Sequence, residues 1–260
     1  GALTFEVVSY EVGASLPVFL SGGGGGAGFG KPSFSSLVVL LRPTSLTAAL
    51  HTALLQGSFY PTAKLDVVPA QGGKEVPFAS FDLVVPSAIQ EDADFAADGM
   101  SLVSVALEFG KMQVEWGTAK AAIDVLANTS SCADTCACDG AVNPTDIGDY
   151  AAAEPGWPLP AGAARATDFD VAIQNTPQLG GGGGGGAGKP QLGHFRVVTA
   201  MSARGVCAFR RLTNATAPAK VVVDDASPLS ATFGPRSDVT WSTCNPLVTT
   251  LSFRSSPEGP

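Results

Sequence analysis

The sequence predicts a mainly β protein built from two tandem copies of one small module, and three observations carry that expectation. The stretch from Gly22 to Leu37, GGGGGAGFGKPSFSSL, recurs from Gly180 to Phe195 as GGGGGGGAGKPQLGHF, with Lys31 and Lys189 158 residues apart in a chain of 260. Self-similarity at a fixed separation marks a repeated unit. Short runs rich in β-branched and aromatic residues, bounded by glycine turns, surround each copy. A single helical stripe falls among the strands of each half, the pattern of a small barrel or sandwich with one flanking helix. The expected division is residues 1–130 for the first module, 131–165 for a Cys/Ala/Pro/Gly-rich linker, and 166–260 for a shorter, divergent second module.

In the first module, LTFEVVSYEV over residues 3–12 reads as a strand that Gly13 ends. After the polyglycine loop a second strand runs from Ser33 to Leu41, with Phe34 and Val38 on one face and Leu37, Val39 and Leu41 mostly on the other. Thr44 or Ser45 is placed to cap a helix whose stripe is Leu46, Ala49, Leu50, Ala53 and Leu54, and Gly57 stops it. Further strands are expected at Ala63 to Val68, Glu75 to Val85 and Leu102 to Trp116, with a turn at Gly72-Gly73 and a last short strand at Ala121 to Ala127.

The second copy keeps the order. TDFDVAIQ from Thr167 answers TFEVVSYE from Thr4, GKPQLGHFRVV answers GKPSFSSLVVL, AKVVVD from Ala219 answers AKLDVV from Ala63, and LVTTLSF from Leu247 answers LVSVALEF from Leu102. Between them Ser202 to Ala215 takes the place of the helix, with Val206, Phe209, Arg210 and Leu212 as a weaker stripe.

Composition narrows the function. Hydrophobic residues make up 45% of the chain and charged ones only 15%, which suits a surface that meets other subunits better than one that diffuses alone. A net charge of -8, with no basic stripe, argues against nucleic acid, whose binding needs Lys and Arg to displace counterions. No apolar run approaches the ~20 residues of a membrane span, and no signal peptide opens the chain at Gly1, as expected of a mature secreted protein after cleavage.

Five cysteines, three of them close together at Cys132, Cys136 and Cys138, point to an oxidising, extracellular or cell-surface location. A disulfide-tied loop suits that trio better than zinc, which wants a fourth ligand for which only the distant His194 offers itself. Cys207 and Cys244 fall in the second module, and a bridge between them would close a loop of about 36 residues. Asn128-Thr-Ser and Asn214-Ala-Thr are N-glycosylation sequons. Asp134, Asp139, Asp146 and Asp149 lack the register of a calcium loop and read as solvated charges.

Gly25, Gly30 and Lys31 fit G-x-x-x-x-G-K, as do Gly183, Gly188 and Lys189. A phosphate-binding loop needs a hydroxyl after the lysine and a helix that starts there. Pro32 and Pro190 supply neither, and a strand follows, so no nucleotide or other cofactor is expected.

In order, the S-Y-x-x-G-A-S strand, the loop ending G-A-G-x-G-K-P, the F-S-S-L strand, the helix before Gly57-Ser-Phe, the strands from Ala63 to Ile89, and LVSVALEFGKMQVEW leading to AAIDVLANTS resemble haemolysin-coregulated protein, Hcp, the tube protein of type VI secretion. The resemblance covers about residues 3–130 well and 167–253 more loosely. It implies two tandem Hcp-like small β-barrels, each of two packed antiparallel sheets with a short flanking helix. It also implies self-association, six single-domain subunits to a ring and rings stacked into a tube, helped by the extended loop after the first strand. On that footing Gly22, Gly26, Lys31, Gly180, Gly186 and Lys189 mark assembly loops.

The expected function is a non-enzymatic structural subunit that polymerises with itself as a filament or pseudo-hexameric ring. His51 and His194 occupy non-equivalent places, no serine sits in a nucleophile elbow, and no carboxylate pair is singled out. The alternative is a secreted β-sandwich that binds carbohydrate or a protein partner, for which Trp157 is the loosest aromatic platform, since Trp116 and Trp241 fall in strand-like stretches.

Overall fold

The computed structural model describes residues 3–19, 28–68, 73–95, 101–131, 149–152, 164–175, 178–179, 185–186, 190–214, 220–225, 239–244 and 250–255. The chain is mainly β. Its first run of elements is β1 (Val7–Ser15), β2 (Val18–Phe19), β3 (Gly28–Phe29), β4 (Ser33–Phe34), β5 (Leu37–Leu41), α1 (Thr47–Gln56), β6 (Tyr60–Val67), β7 (Val76–Phe95), β8 (Ser101–Glu108), β9 (Lys111–Trp116), β10 (Ala119–Asp124) and β11 (Thr129–Ser131). Then come β12 (Asp149–Ala152), β13 (Ala164–Asn175), β14 (Gln178–Leu179), β15 (Gly185–Gly186), β16 (Pro190–Thr199), α2 (Ala203–Thr213), β17 (Lys220–Asp225), β18 (Val239–Cys244) and β19 (Thr250–Arg254).

These elements form two compact units that interleave along the chain. The first takes Gly1–Ile147, Met201–Ala219 and Asn245–Pro260; the second takes Gly148–Ala200 and Lys220–Cys244. So α2 and β19, which the sequence groups with the second module, lie in the first unit, and β12 falls within the stretch read as linker.

The first unit is a curled antiparallel sheet in the order β11-β10-β9-β7-β8-β5-β1-β19, with β4 also on β1 and β6 also on β7. Its core follows from strict alternation. Leu37, Val39 and Leu41 point inward from β5, Met112 and Val114 from β9, and Ala119, Ala121 and Ile123 from β10, while their neighbours face out. Val12, Phe78, Phe81, Val84 and Val105 complete the inner face at 2% exposure or less. Val206, Phe209 and Leu212 of α2, spaced for one helical face, and Phe253 of β19 are buried in the same cluster. The aromatic rings run Tyr10–Phe78 at 5.4 Å, Phe78–Phe253 at 5.4 Å, Phe253–Phe209 at 6.0 Å and Phe209–Phe34 at 6.1 Å. Apart from Phe209 on α2, that chain of contacts runs through strands brought together by the sheet.

The sheet curls where β7 changes partners. Up to Asp82 it pairs with β9, and from Val85 onward with β8. Leu83, between the two, adopts φ 55°, a left-handed conformation that branched or bulky side chains rarely accept. Gly110 joins β8 to β9 here, donating its N–H to Asp82 O at 2.9 Å. A Cβ on Gly110 would stand 3.1 Å from Leu83 and 3.2 Å from Leu126, tight enough that these side chains would have to give way. The single strand expected over Leu102 to Trp116 is therefore broken at Gly110 into two, on either side of β7.

Two local expectations change. Gly13 does not end the first strand; β1 continues to Ser15, and Gly13 exchanges hydrogen bonds with Ser35, its N–H donating to Oγ at 2.7 Å and its carbonyl accepting the Ser35 N–H at 2.9 Å. The helix starts at Thr47 with Leu46 at the cap position; Thr44 accepts the Leu46 N–H through Oγ1 at 3.2 Å instead of capping. Gly57 does close α1, at φ 62°, donating to Leu54 O.

The second unit is a five-stranded sheet in the order β16-β13-β12-β17-β18. β12 runs parallel to both neighbours, and the other pairings are antiparallel.

Candidate functional site

The surface features of the described residues are two glycine-rich hairpins, an uncharged exposed stretch and several strand edges. The first hairpin is held by Val18 opposite Phe29 and Phe19 opposite Gly28, with Gly30 N–H donating to Pro17 O at 2.8 Å. The second repeats the arrangement, with Gln178 opposite Gly186 and Leu179 opposite Gly185. The first ladder brackets its polyglycine run, and the second is formed on one side by the run's own Gly185 and Gly186. Lys31 is exposed between β3 and β4, and Gly186 lies in β15. Gly22, Gly26, Gly180 and Lys189 lie outside the described residues.

No Lys, Arg, Asp or Glu occurs between Arg42 and Lys64. Within this stretch Leu55 is 86% exposed and Phe59 59%, with Leu46 also exposed. Buried Leu50 and Ala53 hold α1 to the sheet, so Leu55 is left facing out from a helix whose own fold does not need it. His51 Nε2 lies 3.7 Å from Glu91 Oε1, a carboxylate that the local sequence does not offer and that β7 brings in. His194 is in β16 opposite Ala172. Among the described residues no group of three or more His, Cys, Asp or Glu is placed to hold a metal, and no helix is long and apolar enough to cross a membrane.

Both sequons are on turns. Asn128 sits between β10 and β11 at φ 52°. Asp124 fixes this turn, its Oδ1 accepting the Ala127 N–H at 2.8 Å and its Oδ2 lying 3.3 Å from Lys111 Nζ. The Ala127 N–H holds the Asp124 carboxyl below the usual range, with Lys111 adding to it. Asparagine tolerates the left-handed region better than most side chains. Asn128→Gly should therefore leave the thermal midpoint within a degree or two, whereas Asn128→Val should cost about 1–2 kcal/mol in denaturant unfolding; equal stabilities would show that the turn imposes no such demand. Asn214 is exposed at the C-terminal end of α2, its N–H donating to Arg210 O at 3.0 Å.

Cys207 of α2 is 2% exposed, and Cys244 ends β18. Cys132, Cys136 and Cys138 lie outside the described residues, as does Trp157. Trp116 is half-buried against the core and Trp241 pairs with Val223, so both are built into strands.

No protein-family model matches the sequence. No curated protein matches it either. Solved structures do. The chain is similar to Hcp1 from Salmonella typhimurium, at 20% identity over 49% of this chain and 84% of that one, with a TM-score of 0.40. It is similar at 18% identity to a type six secretion system protein, over 47% and 83% of the two chains, with a TM-score of 0.42. A third likeness, to Hcp1 from E. coli, has 18% identity over 46% and 80%, with a TM-score of 0.35. Each covers about half of this chain.

Sequence reasoning missed the strand edges. Among the described residues β19 ends the large sheet and β16 ends the small one. β19 could not be foreseen as an edge of the first unit, because its partner β1 lies more than two hundred residues away.

Proposed function

We propose that this chain is a non-enzymatic structural subunit that self-assembles, as a helical filament or stacked-ring tube, outside the cell. The observation that carries the reading is the exposed, uncharged stretch of α1 and its flank, where Leu55 and Phe59 face solvent in a chain with only 15% charged residues. Apolar side chains held outward in this way are the mark of a surface that another protein covers. The ordered sequence resemblance to Hcp and the paired glycine hairpins support the same reading. Oxidised cysteines and glycans on Asn128 or Asn214 belong to it, on the strength of the sequence alone.

The chain is read as two copies of one module. What supports this is element order: β1, β5, α1, β6, β7 and β8 are answered by β13, β16, α2, β17, β18 and β19. Pairing supports it too, since β1 with β5 is matched by β13 with β16, and β6 with β7 by β17 with β18.

Electron microscopy of the purified protein tests the proposal: filaments or rings are expected, and uniformly monomeric particles would overturn it. Glycine runs are costly to order and have no side chains of their own to pack. Shortening residues 22–26 and 180–186 together should therefore abolish the polymers while leaving thermal unfolding nearly unchanged. Normal assembly by the shortened protein would reduce the loops to spacers.

A further inference from the structure

In the first copy β5 is flanked on both sides, by β1 and by β8. Among the described residues its counterpart β16 pairs with β13 and ends its sheet. The strand that corresponds to β8 is β19, and it pairs instead with β1, leaving it at the end of the other sheet. Two terminal strands whose first-copy equivalents are partners thus lie on different sheets.

We infer that β19 of one subunit docks antiparallel along the outer edge of β16 in a second copy of the chain, joining the ten-stranded sheet of one molecule to the five-stranded sheet of the next. This rests on the self-assembly proposed above and names the contact. The two edges are different surfaces, so the contact is heterologous and propagates head to tail.

The first copy supplies the register. Leu37 stands opposite Leu107. The repeat that sets Lys189 on Lys31 sets Phe195 on Leu37, and the shared Leu-x-Phe ending sets Leu251 on Leu107. Leu251 then faces Phe195, Thr250 faces Arg196 and Ser252 faces His194. Arg254 lies beyond the irregularity of β16 between His194 and Leu192 and well away from Arg196, so the arginines of the two strands do not meet, and no like-charge pair opposes the contact.

The ladder with β1 shows which groups of β19 remain for a partner. Ser255 donates its N–H to Tyr10 O. Val12 is opposite Phe253 and Ala14 opposite Leu251. By antiparallel alternation the N–H groups of Phe253 and Leu251 point to β1, and those of Thr250, Ser252 and Arg254 point away. The same three residues are exposed, while Phe253 is buried. A row of outward donors on a terminal strand is a template for another strand.

Ser252→Pro removes one outward N–H and leaves the bonds to β1 in place, a substitution that edge strands tolerate. In sedimentation velocity it should weaken self-association at least tenfold with a thermal midpoint within a few degrees of the parent. The second measurement mixes two separate variants, Arg196→Cys and Thr250→Cys, under mild oxidation. A disulfide-linked dimer above the level seen with either variant alone is expected, and its loss when Ser252→Pro is added to the Thr250→Cys chain completes the case. If the parent assembles while Ser252→Pro assembles equally well, or the mixture gives no added cross-link, the contact is elsewhere and this inference is wrong, with the structural function intact. If Ser252→Pro unfolds, the cross-link alone decides. A parent protein that stays monomeric overturns both.

Discussion

Phe209→Ala should destabilise the first unit by about 3–5 kcal/mol, the usual cost of removing a large aromatic side chain from a packed core. Phe209 is 1% exposed and its ring lies between Phe34 at 6.1 Å and Phe253 at 6.0 Å. Its loss leaves a cavity bounded by two other rings and by strands held in register, so the site cannot collapse freely. In a chain of this size the thermal midpoint should fall by about 10 °C or more. Leu55→Ala is the contrast: the side chain is 86% exposed, and its removal should change stability by less than ~0.5 kcal/mol. Chemical denaturation of both variants checks the pair. A cost below about 1 kcal/mol for Phe209→Ala would mean that α2 does not belong to this core.

What the sequence made legible was whatever depends on near neighbours. The inward set of β5, Leu37, Val39 and Leu41, follows from a period of two, and the buried Leu50 and Ala53 of α1 follow from helical spacing. Gly57 closes α1 in the left-handed conformation its position implied. The glycine runs read as hairpin loops, and the flanking ladders are where that reading puts them. Long-range partners were not legible. The extended pattern from Leu102 to Trp116 does not show that Gly110 divides it, because the break goes with the change of partner along β7, a strand distant in sequence. Nor does LVTTLSF reveal whether it will lie beside β16 or β1, since either ladder would satisfy its backbone. The outward α1 residues had a weaker signal: Leu55 falls off the stripe of Leu46, Ala49, Leu50, Ala53 and Leu54, whereas Leu46 is on that stripe and is exposed all the same.

A fragment of residues 1–131 should fail to give a cooperative unfolding transition, although by sequence it is the better-formed half. It retains β1 to β11 and α1, but loses α2 and β19. With them go Val206, Phe209, Leu212 and Phe253, all buried in the cluster that Val12, Phe78 and Val105 belong to. At about 1.5–3 kcal/mol for each fully buried side chain, the loss is roughly 6–12 kcal/mol, which spans much of the stability of an ordinary domain. β1 would also lose its ladder with β19 over Glu11 to Ser15, which leaves a long edge able to pair with other chains. The fragment should therefore show weak near-ultraviolet circular dichroism, bind hydrophobic dyes and aggregate. The full-length protein, carrying the same residues, should show strong near-ultraviolet circular dichroism and little dye binding in side-by-side measurements. A fragment that melts cooperatively within a few degrees of the full chain would show that the first module closes its own core, and that α2 and β19 only rest upon it.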